Sequence, residues 1–167
     1  MRLREYRSGD LAAIFALDVV CFAQPFRFSE RAMRQFAEAR NALTVVAEDE
    51  DIDEIAGFCI AHIERARKGL VAYVVTLDVA PAYRRHGLAR EMIRNIEEQA
   101  LEAECDAIEL HVSTENDGAI AFYESEGYER SHMVKSFYGL GRNAYVYRKP
   151  IGSAARHGET WTAFLKA

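Results

Sequence analysis

Basic charge is scarce in this chain of 167 residues: 21 lysines and arginines stand against 26 aspartates and glutamates, a net charge of −5 at pH 7. General nucleic-acid binders neutralise phosphates with a basic face, so this balance argues against direct nucleic-acid binding and suits amines or basic peptides better. Long apolar runs are missing too. No run reaches transmembrane length, the most hydrophobic stretch being interrupted by Asp78. The opening residues, Met1 to Arg7, contain no apolar core of the kind a secretory signal needs, so a cytoplasmic protein without membrane attachment is expected. Cysteine is sparse: Cys21, Cys59 and Cys105 are widely spaced, odd in number and form no C-x-x-C pair. They are read as free thiols used as small hydrophobes, with no metal site. No G-x-x-x-x-G-K-[ST] loop occurs, which disfavours nucleotide hydrolysis. Gly139-x-Gly141-x-x-Ala144 matches the dinucleotide pattern by letters only, because Ala144-Tyr145-Val146-Tyr147 reads as strand where that pattern needs a helix.

What is present reads as one α/β domain over residues 1–150, with a tail at 151–167 whose structure the sequence leaves open. Residues 2–7 read as a strand. Leu11, Ile14, Phe15 and Leu17 recur at helical spacing, and Ser29 is a candidate N-cap for a second helix reaching Ala39. Strands are predicted at Leu43–Ala47, Ile55–Ile63 and Ala72–Val79, with the acidic run Glu48 to Glu54 as a solvated hairpin connection. A helix from Gly87 to Glu102 carries Leu88, Met92, Ile96 and Ala100 on one stripe. A strand at Ala107–Val112 leads to a helix at Asn116–Ser125, stopped by Gly127 as a left-handed cap. Strands at Tyr128–Tyr138 and Ala144–Arg148 close the domain around a turn at Gly139–Asn143. Hairpins first and strand–helix–strand units later imply a mixed α/β sheet.

The segment from Val74 to Arg90 is the most informative: an apolar strand, a turn, then a helix opening at Gly87 amid Arg84, Arg85, His86 and Arg90. The first turn of a helix has N–H groups without intrahelical partners, and the helix dipole adds positive charge there. A cationic helix start fed by a buried strand is a seat for a phosphate-bearing ligand, with Gly87 and Ala89 small enough to let backbone amides approach.

Arg84-x-x-Gly87-x-Ala89, followed about thirty residues on by Asn116-Asp117-Gly118-Ala119-Ile120-Ala121-Phe122-Tyr123-Glu124-Ser125-Glu126-Gly127-Tyr128, resembles two motifs of the GNAT acyltransferase superfamily. These are the Q/R-x-x-G-x-G/A acetyl-CoA motif and the N-x-x-A-x-x-[FL]-Y-x-x-x-G-[FY] signature. The resemblance covers roughly residues 2–150. It implies a splayed central sheet of about six to seven strands flanked by about four helices, with acetyl-CoA as co-substrate. By that likeness Leu77, Asp78 and Val79 offer backbone partners to pantetheine. Arg84, Arg85, His86, Gly87, Leu88, Ala89 and Arg90 hold the diphosphate, mainly through main-chain N–H groups, and Asn116 caps its helix and touches pantetheine. Tyr123 is the expected general acid: a phenol can protonate the departing thiolate, whose conjugate acid has a pKa of about 8.5 by analogy with cysteine.

The strand Ile108-Glu109-Leu110-His111-Val112 resembles N-terminal acetyltransferases. Bacterial ribosomal-protein alanine acetyltransferases usually carry a glutamate where His111 stands, so this chain departs from them. Leu110-His111-Val112 is similar instead to the eukaryotic type, in which a histidine works through water with a tyrosine on the fourth strand, here Tyr73. Alternation puts Glu109 on the face of His111, which leaves His111, Glu109 or water alone as base. Gln24-Pro25-Phe26-Arg27-Phe28 and Phe137-Tyr138-Gly139-Leu140-Gly141 resemble the two walls that grip a peptide N-terminus, so Pro25, Phe26 and Tyr138 are candidate substrate contacts. The second wall only partly follows the Y-Y-x-x-G-x-D-A-Y pattern, since Phe137 and Asn143 replace tyrosine and aspartate. Three functions stay open at this point: N-acetylation of a protein or peptide N-terminus, acetylation of a small amine or a lysine side chain, and non-catalytic acyl-CoA binding. A monomer or weak dimer is expected.

Overall fold

A computed structural model describes residues 1–156; the tail side chains Trp161, Phe164 and Leu165 lie outside the described residues. The chain runs β1 (Arg2–Arg4), α1 (Leu11–Cys21), α2 (Glu30–Ala37), β2 (Ala42–Asp49), β3 (Glu54–Arg65), β4 (Leu70–Val79), α3 (Leu88–Glu102), β5 (Ala107–Ser113), α4 (Asp117–Ser125), β6 (Glu129–Val134), β7 (Ala144–Pro150) and a short α5 (Gly152–Arg156). The seven strands have the order β1-β2-β3-β4-β5-β7-β6. This is the α/β architecture that the strand and helix pattern predicts. The chain divides into two compact units, Met1–Ile63 with Val74–Gln99, and Glu64–Tyr73 with the residues from Ala100 onward; β4 runs through both.

In the first unit, Leu11, Ile14 and Leu17 of α1 and Met33 and Ala37 of α2 are buried with Val46, Phe58 and Ile60 of the strands. The helical spacing of the α1 residues is what lets one helix face meet a flat sheet. Ser29 caps α2 as expected, its Oγ accepting the Ala32 N–H at 3.1 Å, a contact typically worth about 1 kcal/mol. β1 is shorter than expected. The Arg7 N–H turns to Asp10 Oδ2 at 2.7 Å and starts a single 3-10 turn at Ser8–Asp10 in place of further ladder. The acidic run does form the β2–β3 hairpin, with Asp49 opposite Glu54. Gly57 is required by packing: a Cβ there would lie 2.7 Å from the Asp78 carbonyl oxygen and 2.9 Å from Met92 Cε. Its absence lets β3, β4 and α3 close together.

The second unit is built on β5, β7 and β6, paired antiparallel. Register aligns His111 with Val146 and Val146 with His132, and likewise Glu109 with Arg148 and Arg148 with Glu129. Residues in one row point to one face of the sheet, so these side chains share a surface. Gly127 ends α4 at φ +85° as expected, with the Tyr128 N–H returning to the Tyr123 carbonyl at 3.0 Å. The expected strand Tyr128–Tyr138 is cut short, for β6 stops at Val134. Beyond it Ser136 takes φ +54° and its N–H goes to Asn143 Oδ1 at 2.9 Å, while the Tyr138 N–H goes to the Arg142 carbonyl at 3.1 Å. Asn143 thus diverts the chain out of the ladder. Residues 135–143 become a folded loop whose aromatics point away from a strand's alternation.

Candidate active site

The α1–α2 loop, with Pro25 exposed and Phe26 half-buried, is fastened at both ends. Fully buried Asp18 accepts the Phe28 N–H through Oδ2 at 3.0 Å, and Arg27 Nε donates to the Phe22 carbonyl at 2.5 Å. Burial pushes the Asp18 carboxyl up, partly offset by the Phe28 N–H and the charge of Arg27. Asp18 and Arg27 thereby shape a loop whose middle residues alone were singled out by sequence.

At the end of β4, Asp78 is almost completely buried, and Thr76 Oγ1 donates to its Oδ1 at 2.5 Å. Desolvation pushes its carboxyl up to about 7. The Val79 carbonyl accepts Arg84 Nε at 3.0 Å and Cys21 Sγ at 3.4 Å, so Arg84 folds back to brace the strand end. The loop after it exposes Arg85, His86 and Gly87, while buried Leu88 anchors the start of α3. Arg85 and Gly87 both adopt left-handed backbone, at φ +65° and +84°. The Glu91 N–H makes the helix's first bond, to the Gly87 carbonyl at 3.0 Å. The first turn of a helix presents N–H groups that have no acceptor within the helix. Space over Gly87 is open. Main-chain donors, a helix dipole and exposed cations around an open loop fit a diphosphate.

In the second unit Tyr73 of β4 and His111 of β5 meet, with Tyr73 Oη 3.0 Å from His111 Nδ1 and the rings edge to face at 5.6 Å between centroids. Tyr138 Oη donates to the His111 carbonyl at 3.2 Å. Phe137 stacks on the imidazole at 4.0 Å, the planes within 6°. Burial lowers the His111 pKa below that of a free imidazole, with His132 adding to the effect and Glu109 opposing it. Desolvation raises the Tyr73 phenol, and pushes Tyr138 up to about 12. Both phenols therefore keep their protons at neutral pH. Glu109 lies two residues from His111, but Arg148 Nη1 holds its Oε2 at 3.3 Å. A carboxylate bound to arginine is a poorer base than a neutral imidazole.

Asn116 caps α4, its Oδ1 accepting the Ala119 N–H at 3.1 Å. Tyr123 sits in the second half of that helix at 7% exposure, edge-on to Phe122 and Tyr128 at 5.0 and 5.4 Å. Tyr73, His111 and Tyr138 are thus brought into one cluster. Asn116 caps α4 and Tyr123 lies on it, and the expected diphosphate residues share the loop and helix start at 84–90 of the first unit. Phe137 is legible in sequence as part of the 137–141 wall but not as a partner of His111, and Arg148 only from strand register. Among the described residues no group of three or more histidine, cysteine, aspartate or glutamate side chains is placed to hold a metal ion. Nor is any helix of the described residues long and apolar enough to cross a membrane. All three cysteines are free thiols, as expected.

A seven-stranded α/β sheet with a cationic helix start after its fourth strand is the architecture that the acyltransferase resemblance implies. Residues 11–128 match the acetyltransferase (GNAT) family, and the chain belongs to it. Among known proteins it is 33% identical over 83 residues to N-alpha-acetyltransferase 60 of Danio rerio, covering 46% of this chain and 34% of that one. The match therefore spans about a third of that relative's length. It is 26% identical over 159 residues to the N-terminal acetyltransferase A complex catalytic subunit NAA10 of Arabidopsis thaliana, covering 93% and 80%. The crystal structure of Chaetomium thermophilum Naa20 in complex with a bisubstrate analogue superposes with a TM-score of 0.80 at 26% identity, over 95% and 90% of the two chains.

Proposed function

We propose that this protein transfers an acetyl group from acetyl-CoA to the N-terminal α-amino group of a protein or peptide. The observation that carries the reading is the Tyr73–His111 hydrogen bond at 3.0 Å beneath the Phe137–Tyr138 loop. It supplies a neutral, oriented imidazole beside aromatic side chains suited to an extended peptide. The N-terminal acetyltransferases among its relatives support the same reading.

Acetyl-CoA, when bound, supplies an activated thioester. The amides and cations at 84–90 would hold its diphosphate, and Leu77 and Val79 would offer backbone partners to its pantetheine arm. Asp78 would contribute through its main chain. An incoming α-amino group has a pKa of about 7.7–8.0, so a modest base is enough to free its lone pair. With the proton on Nδ1, His111 donates to Tyr73 Oη and presents Nε2 to take the ammonium proton through water. Tyr123 gives its phenolic proton to the departing sulfur, a role typically contributing about 10²–10⁴ in rate. Tyr138 would flank the peptide's first residues. A cytoplasmic setting, with which the free thiols agree, and a monomer or weak dimer complete the proposal.

The test is acetyl-CoA turnover on matched peptides with free or blocked N-termini. Transfer confined to free N-termini is the expected outcome. Transfer to blocked peptides bearing lysine, or to small amines alone, would redirect the reading, and coenzyme binding without any turnover would end it.

A further inference from the structure

We propose that Phe137 is the positioning residue for His111, holding the imidazole in the plane from which Nε2 addresses the acceptor and keeping water off one of its faces. The proposal rests on the reading of His111 as base. Two contacts fix the ring. Tyr73 Oη engages Nδ1 at 3.0 Å, which fixes one edge of the ring but still permits it to tilt about that bond. Phe137 removes the tilt: its ring lies 4.0 Å from the imidazole with planes only 6° apart, and Tyr138 backs it edge-on at 4.8 Å. Tyr138 in turn is tied to the main chain of the same histidine at 3.2 Å, so clamp and clamped residue share one anchor.

Position 137 is held in place by the backbone rather than by burial. Phe137 is 43% exposed. The loop that carries it is bent at Ser136, φ +54°, and secured by the Ser136 N–H to Asn143 Oδ1. A tyrosine hydroxyl is not needed for stacking, which explains how phenylalanine serves here.

The groups facing the imidazole are Tyr73 from β4, Glu109 on its own strand, Tyr138 from the loop and His132 from β6. Arg148 of β7 holds Glu109 at 3.3 Å. Desolvation is the largest influence on His111 and acts to keep it neutral, and Phe137 is the side chain covering the face of the ring.

The experiment compares wild type, Phe137→Ala and Phe137→Tyr by NMR titration of the imidazoles and by the pH profile of kcat/KM on a free-N-terminus peptide. His111→Ala assigns the resonance. In Phe137→Ala the His111 midpoint should rise toward about 6.5, that of an unperturbed imidazole, and the acidic limb of kcat/KM should move up with it. Loss of the ring's orientation should lower kcat about tenfold while the KM for acetyl-CoA stays unchanged. Phe137→Tyr should restore all three. A His111 titration identical in wild type and Phe137→Ala overturns the proposal, as does a tyrosine variant as impaired as the alanine one. A midpoint that moves without the rate profile following also overturns it, while leaving acetyl transfer intact. Failure of the wild type to acetylate any free N-terminus removes the functional reading and this proposal together.

Discussion

Around Gly87 the groups offered to a ligand are main-chain amides and the exposed side chains of Arg85 and His86, whereas around His111 they are ring atoms held by other rings. The first site depends on backbone shape: two left-handed residues, Arg85 and Gly87, open the loop, and buried Leu88 pins the helix start beneath it. The second depends on side-chain identity, with Tyr73, Phe137 and Tyr138 each touching one part of one histidine. A diphosphate needs many weak donors and tolerates the loss of one. Proton transfer needs one group in one protonation state at one place. Substitutions near Gly87 should therefore weaken coenzyme binding in small steps, and those around His111 and on α4 should reduce turnover steeply.

The largest expected effect is at Tyr123. Tyr123→Phe keeps the ring and its edge contacts with Phe122 and Tyr128 but removes the only proton that side chain can give. We expect kcat to fall by about 10²–10⁴ with little change in the Kd for acetyl-CoA measured by calorimetry. Equal losses in both would make Tyr123 a structural residue and erase the contrast between the units. Next is His111→Ala, expected to lower kcat/KM by about 10². Because burial lowers the His111 pKa, the imidazole is neutral and competent from below its usual midpoint upward. Wild-type kcat/KM should rise with pH through that lowered value and again as the acceptor amine loses its proton near about 7.7–8.0. His111→Ala should lose the first rise and keep the second. An unchanged profile would leave water as the base.

A smaller effect is expected on the other side of the comparison. Gly87→Ala meets no steric obstacle, since the space over Gly87 is open, but φ +84° is a conformation alanine resists. The cost of left-handed backbone is about 1–2 kcal/mol, so the KM for acetyl-CoA should rise about fivefold to thirtyfold with kcat nearly constant. A fall in kcat larger than the rise in KM would show that this loop acts on chemistry as well as binding.

The contrast between the units also explains what could be read without coordinates. Backbone-shaped features announce themselves in sequence, because glycine, proline and capping residues occur where geometry demands them. Ser29 at its cap and Gly127 at φ +85° fall where spacing puts them, and α3 starts one residue after the expected Gly87. The aromatic cluster carries no such signature. Tyr73 and His111 lie 38 residues apart in the chain, and only a resemblance to a family joined them before the hydrogen bond was seen. Phe137 was assigned to a strand, where alternation would have fixed its direction; Asn143 turned that segment into a loop and so placed it over His111. Asp18 was hidden for a different reason. A single acidic residue in an apolar helix reads as a solvent-facing charge, and its burial depends on a loop that returns ten residues later.

Asp18 gives the smallest and most discriminating test, because its carboxyl serves a backbone amide and so belongs to the first manner of working although it is a side chain. Asp18→Asn keeps an oxygen for the Phe28 N–H; Asp18→Ala removes it and leaves that amide unpaired, a loss of about 1–3 kcal/mol. The native carboxyl has its pKa raised by burial, so the folded state binds its proton more tightly than the unfolded chain does. Stability contributed by that proton is present at low pH and is lost as pH rises from about 3.9, the unfolded value, through the folded one. Asparagine has no such dependence. The Tm of Asp18→Asn should therefore gain on wild type as pH climbs from the unfolded value of about 3.9 through the raised folded one, while Asp18→Ala stays below both. Peptide KM should follow the amide contact rather than the charge, rising a few-fold in Asp18→Ala and holding in Asp18→Asn, with acetyl-CoA KM constant in each. If asparagine raised the peptide KM as much as alanine does, the negative charge itself would be steering the acceptor's ammonium group, and the α1–α2 loop would contribute electrostatics where shape alone is assigned to it.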